Sequence, residues 1–185
     1  SIAQAQGLSN YLDPVAFIER DPEAREEIRR RYPTALIFAE GWAVTAQQLD
    51  DCNCDGMHAS TPCTAFSRAG KGRGFLEIDA NLIQHATHLA CTMRRGEGAI
   101  WFSYENVVEL RDHFPSADFE AFMVEALPNH HISVGIVQAA TTVDPYVSGG
   151  AAPVSHRRLW CIAVPKSTFT KPLKYFTKPF AKGLN

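Results

Sequence analysis

Short apolar runs alternate with helix-patterned segments along most of this chain, and that alternation limits its fold more than any other feature. Val15-Ala16-Phe17-Ile18-Glu19 is an apolar run ending in an acid. Pro22 to Arg31 is rich in Glu and Arg and reads as an exposed helix, with Asp21 as its N-cap and Pro22 at its first position. Ala35 to Ala39 and Gly56 to Ser60 are further strand candidates. Asn81 to Arg94 carries Leu82, Ala86, Leu89, Ala90 and Met93 at helical spacing. Ala99 to Tyr104 reads as a strand ending at Glu105-Asn106, and Asp118 to Ala126 as a helix. Ile132 to Ala139 and Leu159 to Val164 are the last strands, split by a Gly/Pro-rich loop from Asp144 to Pro153. Strands that alternate with helices indicate an α/β chain with a mostly parallel sheet. Ligands bind such sheets at the carboxyl ends of the strands. Glu19, Glu40, the loop around Cys63 and Glu105 all fall there.

The chain has 185 residues, which suits one domain with a sizeable core. Residues 1–165 read as that domain, and residues 166–185 as a basic tail with Lys166, Lys171, Lys174, Lys178 and Lys182. Net charge is -2, so a nucleic-acid partner would need local basic patches: the tail, or Arg68, Lys71 and Arg73. No apolar run is long enough to span a bilayer, and Ser1 to Asn10 lacks the regions of a secretion signal. A cytoplasmic protein with no membrane role is expected. Five cysteines without a leader argue against a disulfide framework. Cys52, Cys54, His58 and Cys63 are close in sequence, but Cys-x-Cys is tighter than a zinc knuckle and no second half follows, so no metal is expected.

Cys63 follows a strand, and Pro62 fixes the backbone before it. Glu105 closes another strand later in the chain. A thiolate and a carboxyl group at two strand ends mark a candidate site, and the resemblance set out below implies one demanding reaction for them. Cytosine carbon-5 is a poor nucleophile, and adding a thiolate to ring carbon-6 activates it. An acid bonded to ring nitrogen-3 offsets the charge that develops, and a cation near the exocyclic oxygen helps further. The base must leave its helix to reach such a site.

Thr61-Pro62-Cys63-Thr64-Ala65-Phe66-Ser67-Arg68-Ala69-Gly70-Lys71 resembles the Pro-Pro-Cys-Gln-x-Phe-Ser-x-Ala-Gly-Lys loop of DNA cytosine carbon-5 methyltransferases, and Glu105-Asn106-Val107 is identical to their Glu-Asn-Val motif. Glu19 to Ala24 resembles their Glu-x-Asp-x-x-Ala segment, Asp79 to Leu82 the segment after the catalytic loop, and His156 to Trp160 the Gln-x-Arg-x-Arg motif. The match runs from about Gly7 to Val164. The resemblance implies a Rossmann-like sheet and S-adenosylmethionine as methyl donor. It implies Cys63, Glu105 and Arg158 as catalytic residues, and Gly7, Glu19, Glu40 and Leu82 at the cofactor. Pro62, Ser67, Arg68, Asn106 and His156 would face a double-stranded DNA substrate.

Three departures shape the expectation. The family's Phe-x-Gly-x-Gly-Gly falls on Ile2 to Gly7, with Gln4 and Gln6 in place of two glycines that let backbone approach a ligand. The strand before that loop, central in the family's sheet, has no counterpart, and its loss exposes two interior edges unless another segment or chain fills the gap. No target-recognition region follows Leu159. Locally, Thr61 replaces the first proline, Thr64 the glutamine and His156 the first arginine. The expected function is a cytosine carbon-5 methyltransferase or its catalytic subunit, with a second chain supplying the recognition region and the absent strand. The alternative is a catalytically inactive binding or assembly module.

Overall fold

The structure is a computed structural model and describes residues 12–64, 66, 81–114, 118–138 and 157–169. Its first unit is a parallel pair, β1 (Ala16–Ile18) and β2 (Leu36–Phe38), joined through helix α1 (Pro22–Arg31). The Asp21 carboxylate caps α1 by accepting from the Glu23 and Ala24 amides at 2.8 and 3.0 Å. A short 3-10 turn (Gly41–Ala43) leads into α2 (Ala46–Asp51), which Thr45 and Gln48 close with a capping box.

The larger unit is a four-stranded sheet in the order β3-β4-β6-β5: β3 (Gly56–Ala59), β4 (Trp101–Val107), β5 (His130–Gln138) and β6 (Arg157–Pro165). Helices α3 (Leu82–Thr92) and α4 (Phe119–Ala126) belong to this unit. β3 and β4 are parallel, whereas β6 runs antiparallel to both β4 and β5. Only β6 is reversed, while β3, β4 and β5 all point the same way, so the sheet is mixed and still mostly parallel in direction, as expected. No helical pattern separates β5 from β6 in sequence, and parallel neighbours need such a crossover while antiparallel neighbours do not.

The core lies between this sheet and its helices. Ile83, Ala86, Ala90 and Met93 form the buried stripe of α3, at the three- and four-residue spacing that keeps side chains on one helix face. They meet Phe102, Tyr104, Leu159, Cys161 and Ala163 from β4 and β6, and Phe119, Met123 and Leu127 from α4 and its end. Each fully buried large apolar side chain contributes roughly 1.5–3 kcal/mol. Gly56 is required for a different reason. A Cβ there would stand 2.2 Å from Trp101 Nε1, so the indole packs where only a hydrogen fits.

Among the described residues no strand joins the two sheets. In β1 the Val15 carbonyl accepts from Leu36 and the Glu19 amide donates to Phe38, both at 2.9 Å. Strand alternation then turns the backbone groups of Ala16 and Ile18 away from β2. β3 pairs only with β4. The edges of β1 and β3 both line a cavity of about 1050 Å³. The cavity thus lies where the family's sheet carries a further strand. Gly7, which would follow that strand, lies outside the described residues.

Candidate active site

The β3–β4 pair positions the site. Its register sets Ala59 opposite Tyr104, so the chain leaving β3 runs beside the second half of β4. Ser60, Thr61, Pro62 and Cys63 follow in order. The Cys63 carbonyl accepts from the Phe66 amide at 3.0 Å, and Phe66 is buried against the edge of His113. One tight turn thus ties the thiol-bearing loop to the core.

β4 does not stop at Tyr104 but continues through Glu105, Asn106 and Val107. Polar residues are tolerated inside this strand because each is paired. Glu105 accepts from Ser60 Oγ at 2.7 Å and forms an ion pair with Arg158 Nε at 2.9 Å, its own side chain only 12% exposed. Asn106 projects to the opposite face and is buried. Its Nδ2 donates to the Tyr104 hydroxyl at 2.8 Å and to the Thr61 carbonyl at 3.2 Å, and its Oδ1 accepts from the Val107 amide. Asn106 was expected to face substrate. The structure instead uses its amide inside the core, because the alternation of a strand sends residues 105 and 106 to different sides.

Cys63, Pro62, Glu19 and Leu82 all line the cavity between the sheets. Glu19 sits just past β1, where its carboxylate accepts from the Asp21 amide at 2.9 Å. Leu82 opens α3, and its methyl lies 3.2 Å from where a Gly41 Cβ would be. Glu40 is exposed at the start of the 3-10 turn, beside the lining residues Ala39 and Gly41. Glu105 and Arg158 form a second patch that meets the cavity wall at Ser60. Ser67, Arg68 and His156 lie outside the described residues. Cys52 and Cys54 stand before β3 and Cys63 after it, and all five cysteines are free thiols. No group of three or more metal-ligating side chains occurs among the described residues, and no helix there is long and apolar enough to cross a membrane.

Sequence reasoning missed two features of this site. Thr61 and Tyr104 form a 2.7 Å hydrogen bond behind the loop, signalled only by Tyr104 standing two residues from Asn106 on one strand face. His58 is the other. Its Nδ1 lies 2.8 Å from Ser103 Oγ, its ring packs near Trp160, and its buried Nε2 has no partner among the described residues. Burial lowers its pKa to about 4. The unfolded chain then binds the extra proton first, so stability is full above about pH 6.5 and falls as pH drops towards 4, by about 3 kcal/mol at most. Denaturant melts of wild type and His58→Gln between pH 7.5 and 4.5 check this. The variant should lose much less stability across that window; equal losses would remove His58 from the account.

A sequence profile of C-5 cytosine-specific DNA methylases matches residues 3–138. The chain belongs to that family. The chain is also 30% identical over 78 residues to the type II methyltransferase M.CviJI of Paramecium bursaria Chlorella virus IL3A, a match covering 42% of this chain and 21% of the viral protein. Its fold is similar to a mutant form of Spodoptera frugiperda DNMT2, with a TM-score of 0.66 and 17% identity over 97% of this chain and 53% of the insect protein. A prophage-encoded DNA modification methyltransferase of E. coli gives a TM-score of 0.61 and 18% identity over 84% of this chain and 41% of its own. These likenesses give the chain the Rossmann-like fold of those methyltransferase structures. It spans about half the length of the DNMT2 protein and about a fifth of the viral one.

Proposed function

We propose that this chain is the catalytic core of a DNA cytosine carbon-5 methyltransferase acting on a base flipped out of double-stranded DNA. The observation that carries the reading is Glu105, held between Ser60 and Arg158 on β4, directly beside the strand that delivers Cys63. Cys63 adds to ring carbon-6, and the electron pair displaced from the ring is steadied by Glu105 at nitrogen-3. Arg158 has guanidinium nitrogens beyond the one paired to Glu105, and these reach for the exocyclic oxygen. Carbon-5 becomes nucleophilic and forms the new bond to the methyl carbon. Loss of the carbon-5 proton to solvent base and release of Cys63 as thiolate restore the ring. S-adenosylmethionine, when bound, would supply the electrophilic methyl group, its methyl–sulfur bond breaking as the new bond forms and leaving S-adenosylhomocysteine. The described residues fit that cofactor, since an acid and an apolar side chain share one cavity wall: Glu19 would take ribose hydroxyls and Leu82 would cover an apolar surface, and by the family resemblance Gly7 and Glu40 would complete the site. Pro62, Ser67, Arg68 and His156 contact DNA, whereas Asn106 serves the scaffold.

A second chain contributes the target-recognition region and the strand between β1 and β3. The separation of the two sheets supports this, because an isolated two-stranded pair is marginal in water. The same separation favours one other reading, an inactive assembly module. Calorimetry with S-adenosylmethionine separates the two, since micromolar binding counts against the module. The decisive experiment is trapping with duplex DNA containing 5-fluorocytosine, in which the fluorine at carbon-5 cannot leave as the proton does. A denaturation-resistant adduct at Cys63 is expected when S-adenosylmethionine and the partner are present. No adduct with any candidate partner overturns the proposal.

A further inference from the structure

On the face of β4 opposite Glu105, three polar side chains meet in an otherwise apolar core. Tyr104 is fully buried against Phe119, yet it carries a hydroxyl. A phenylalanine would fill that space without the cost of burying a polar atom, so the hydroxyl needs partners. It has two. Its oxygen accepts from Asn106 Nδ2 at 2.8 Å, which leaves its own proton for Thr61 Oγ1 at 2.7 Å. Asn106 Nδ2 also reaches the Thr61 carbonyl and hydroxyl, each at 3.2 Å. Thr61 is therefore gripped at both its backbone and its side chain.

Thr61 stands two residues before Cys63, at the position where the nucleophile loops that this segment resembles carry a first proline. A proline there fixes its own φ by ring closure. Threonine does not, although Pro62 after it restricts its backbone to extended conformations and its branched side chain is stiff. The hydrogen bonds remove the freedom that remains.

We propose that Tyr104 is a positioning residue for Cys63, acting through Thr61 and Asn106 to hold the loop as a second proline would. The proposal rests on reading Cys63 as the nucleophile. Two further observations agree with it. Burial pushes the Tyr104 phenol up to about 12, so it stays a neutral donor at any working pH. The Thr61 N–H makes no hydrogen bond among the described residues, so a proline at this position sacrifices none.

The test compares wild type with Tyr104→Phe, Thr61→Val, Thr61→Pro and the double variant Thr61→Pro/Tyr104→Phe, in the full chain with its partner. The first readout is amide exchange at Cys63 and Thr64, which needs no catalytic activity. Losing one such hydrogen bond should speed exchange there about tenfold in Tyr104→Phe and in Thr61→Val. Proline in the double variant should return it to within about twofold of wild type, which a merely structural loss in the core would not allow. The second readout is kinetic. In Tyr104→Phe, kcat should fall about tenfold with the KM for S-adenosylmethionine unchanged, and the double variant should recover. Exchange that rises equally at Phe102 and Ala163, or that proline does not restore, overturns the proposal. If wild type itself forms no adduct, the functional reading fails, and the exchange comparison still decides whether Tyr104 holds the loop.

Discussion

Cys63→Ala should abolish both the adduct and methyl transfer, a loss on the order of 10⁴-fold or more in kcat, as when a covalent nucleophile is removed. Two hydroxyls that frame the loop, Ser60 and Thr61, are committed to Glu105 and Tyr104 and do not replace the thiol. Cys63→Ser should be almost as poor, since a hydroxyl at neutral pH holds its proton far more tightly than a thiol does. Both variants should still bind S-adenosylmethionine with unchanged affinity and keep their stability to within about 1 kcal/mol, because Cys63 is only partly buried. Steady-state transfer assays with calorimetry of the same samples make the measurement. Transfer above a tenth of wild type in Cys63→Ala would remove the covalent mechanism and leave Glu105 and Arg158 as binders of the base.

Completing the sheet should change the amide exchange of β1 by about a hundredfold or more, the scale that separates an opening edge from a cooperative core. In the chain by itself, Ala16 and Ile18 should exchange faster than Phe17 and Glu19, whose backbone groups face β2. Once the partner strand is in place, Ala16 and Ile18 should become protected together with β3. The linkage to function is direct. Glu19 rides on the two-stranded sheet, while Cys63 hangs from the four-stranded one. Under the proposed reading, a strand between them would set the distance between Glu19 and Cys63, so methyl transfer should appear with that protection. Protection of Ala16 and Ile18 in the chain alone would place the missing strand within this polypeptide. Their continued rapid exchange in active protein would exclude such a strand altogether.

Much of the fold was legible because local and global signals agree. The α1 cap, the buried stripe of α3 and the strands at Gly56 and Trp101 stand where periodicity and capping residues indicate. Other features were hidden for physical reasons. The α2 helix has a Thr45-x-x-Gln48 capping signal, but six residues are too few to show a period. β4 outlasted its expected end because Glu105 and Asn106 look like surface residues until their partners, more than 40 positions away, are known. The direction of β6 was left unassigned, although the lack of an intervening helix signals its reversal. At the site, the motif named Cys63 and Glu105, but it could not say which side of the strand Asn106 takes. Thr61 looked like a loss from the family pattern, and only its hydrogen bonds give it a role.

The alternation along β4 has a wider consequence. Glu105 stands between Tyr104 and Asn106, so a single peptide step separates the face that carries the Glu105–Arg158 pair from the face that builds the scaffold. An added or deleted residue between Trp101 and Glu105 would exchange the two: a carboxylate would be driven into the core and a phenol turned towards Arg158. The strand therefore behaves as a parity code. Its reading frame is fixed by six registered positions along β6, which is itself clamped over nine positions by β5. Substitutions can drift along surface loops, but a change of length in β4 would swap its two faces, since there the count of residues decides which side chains stand beside Arg158.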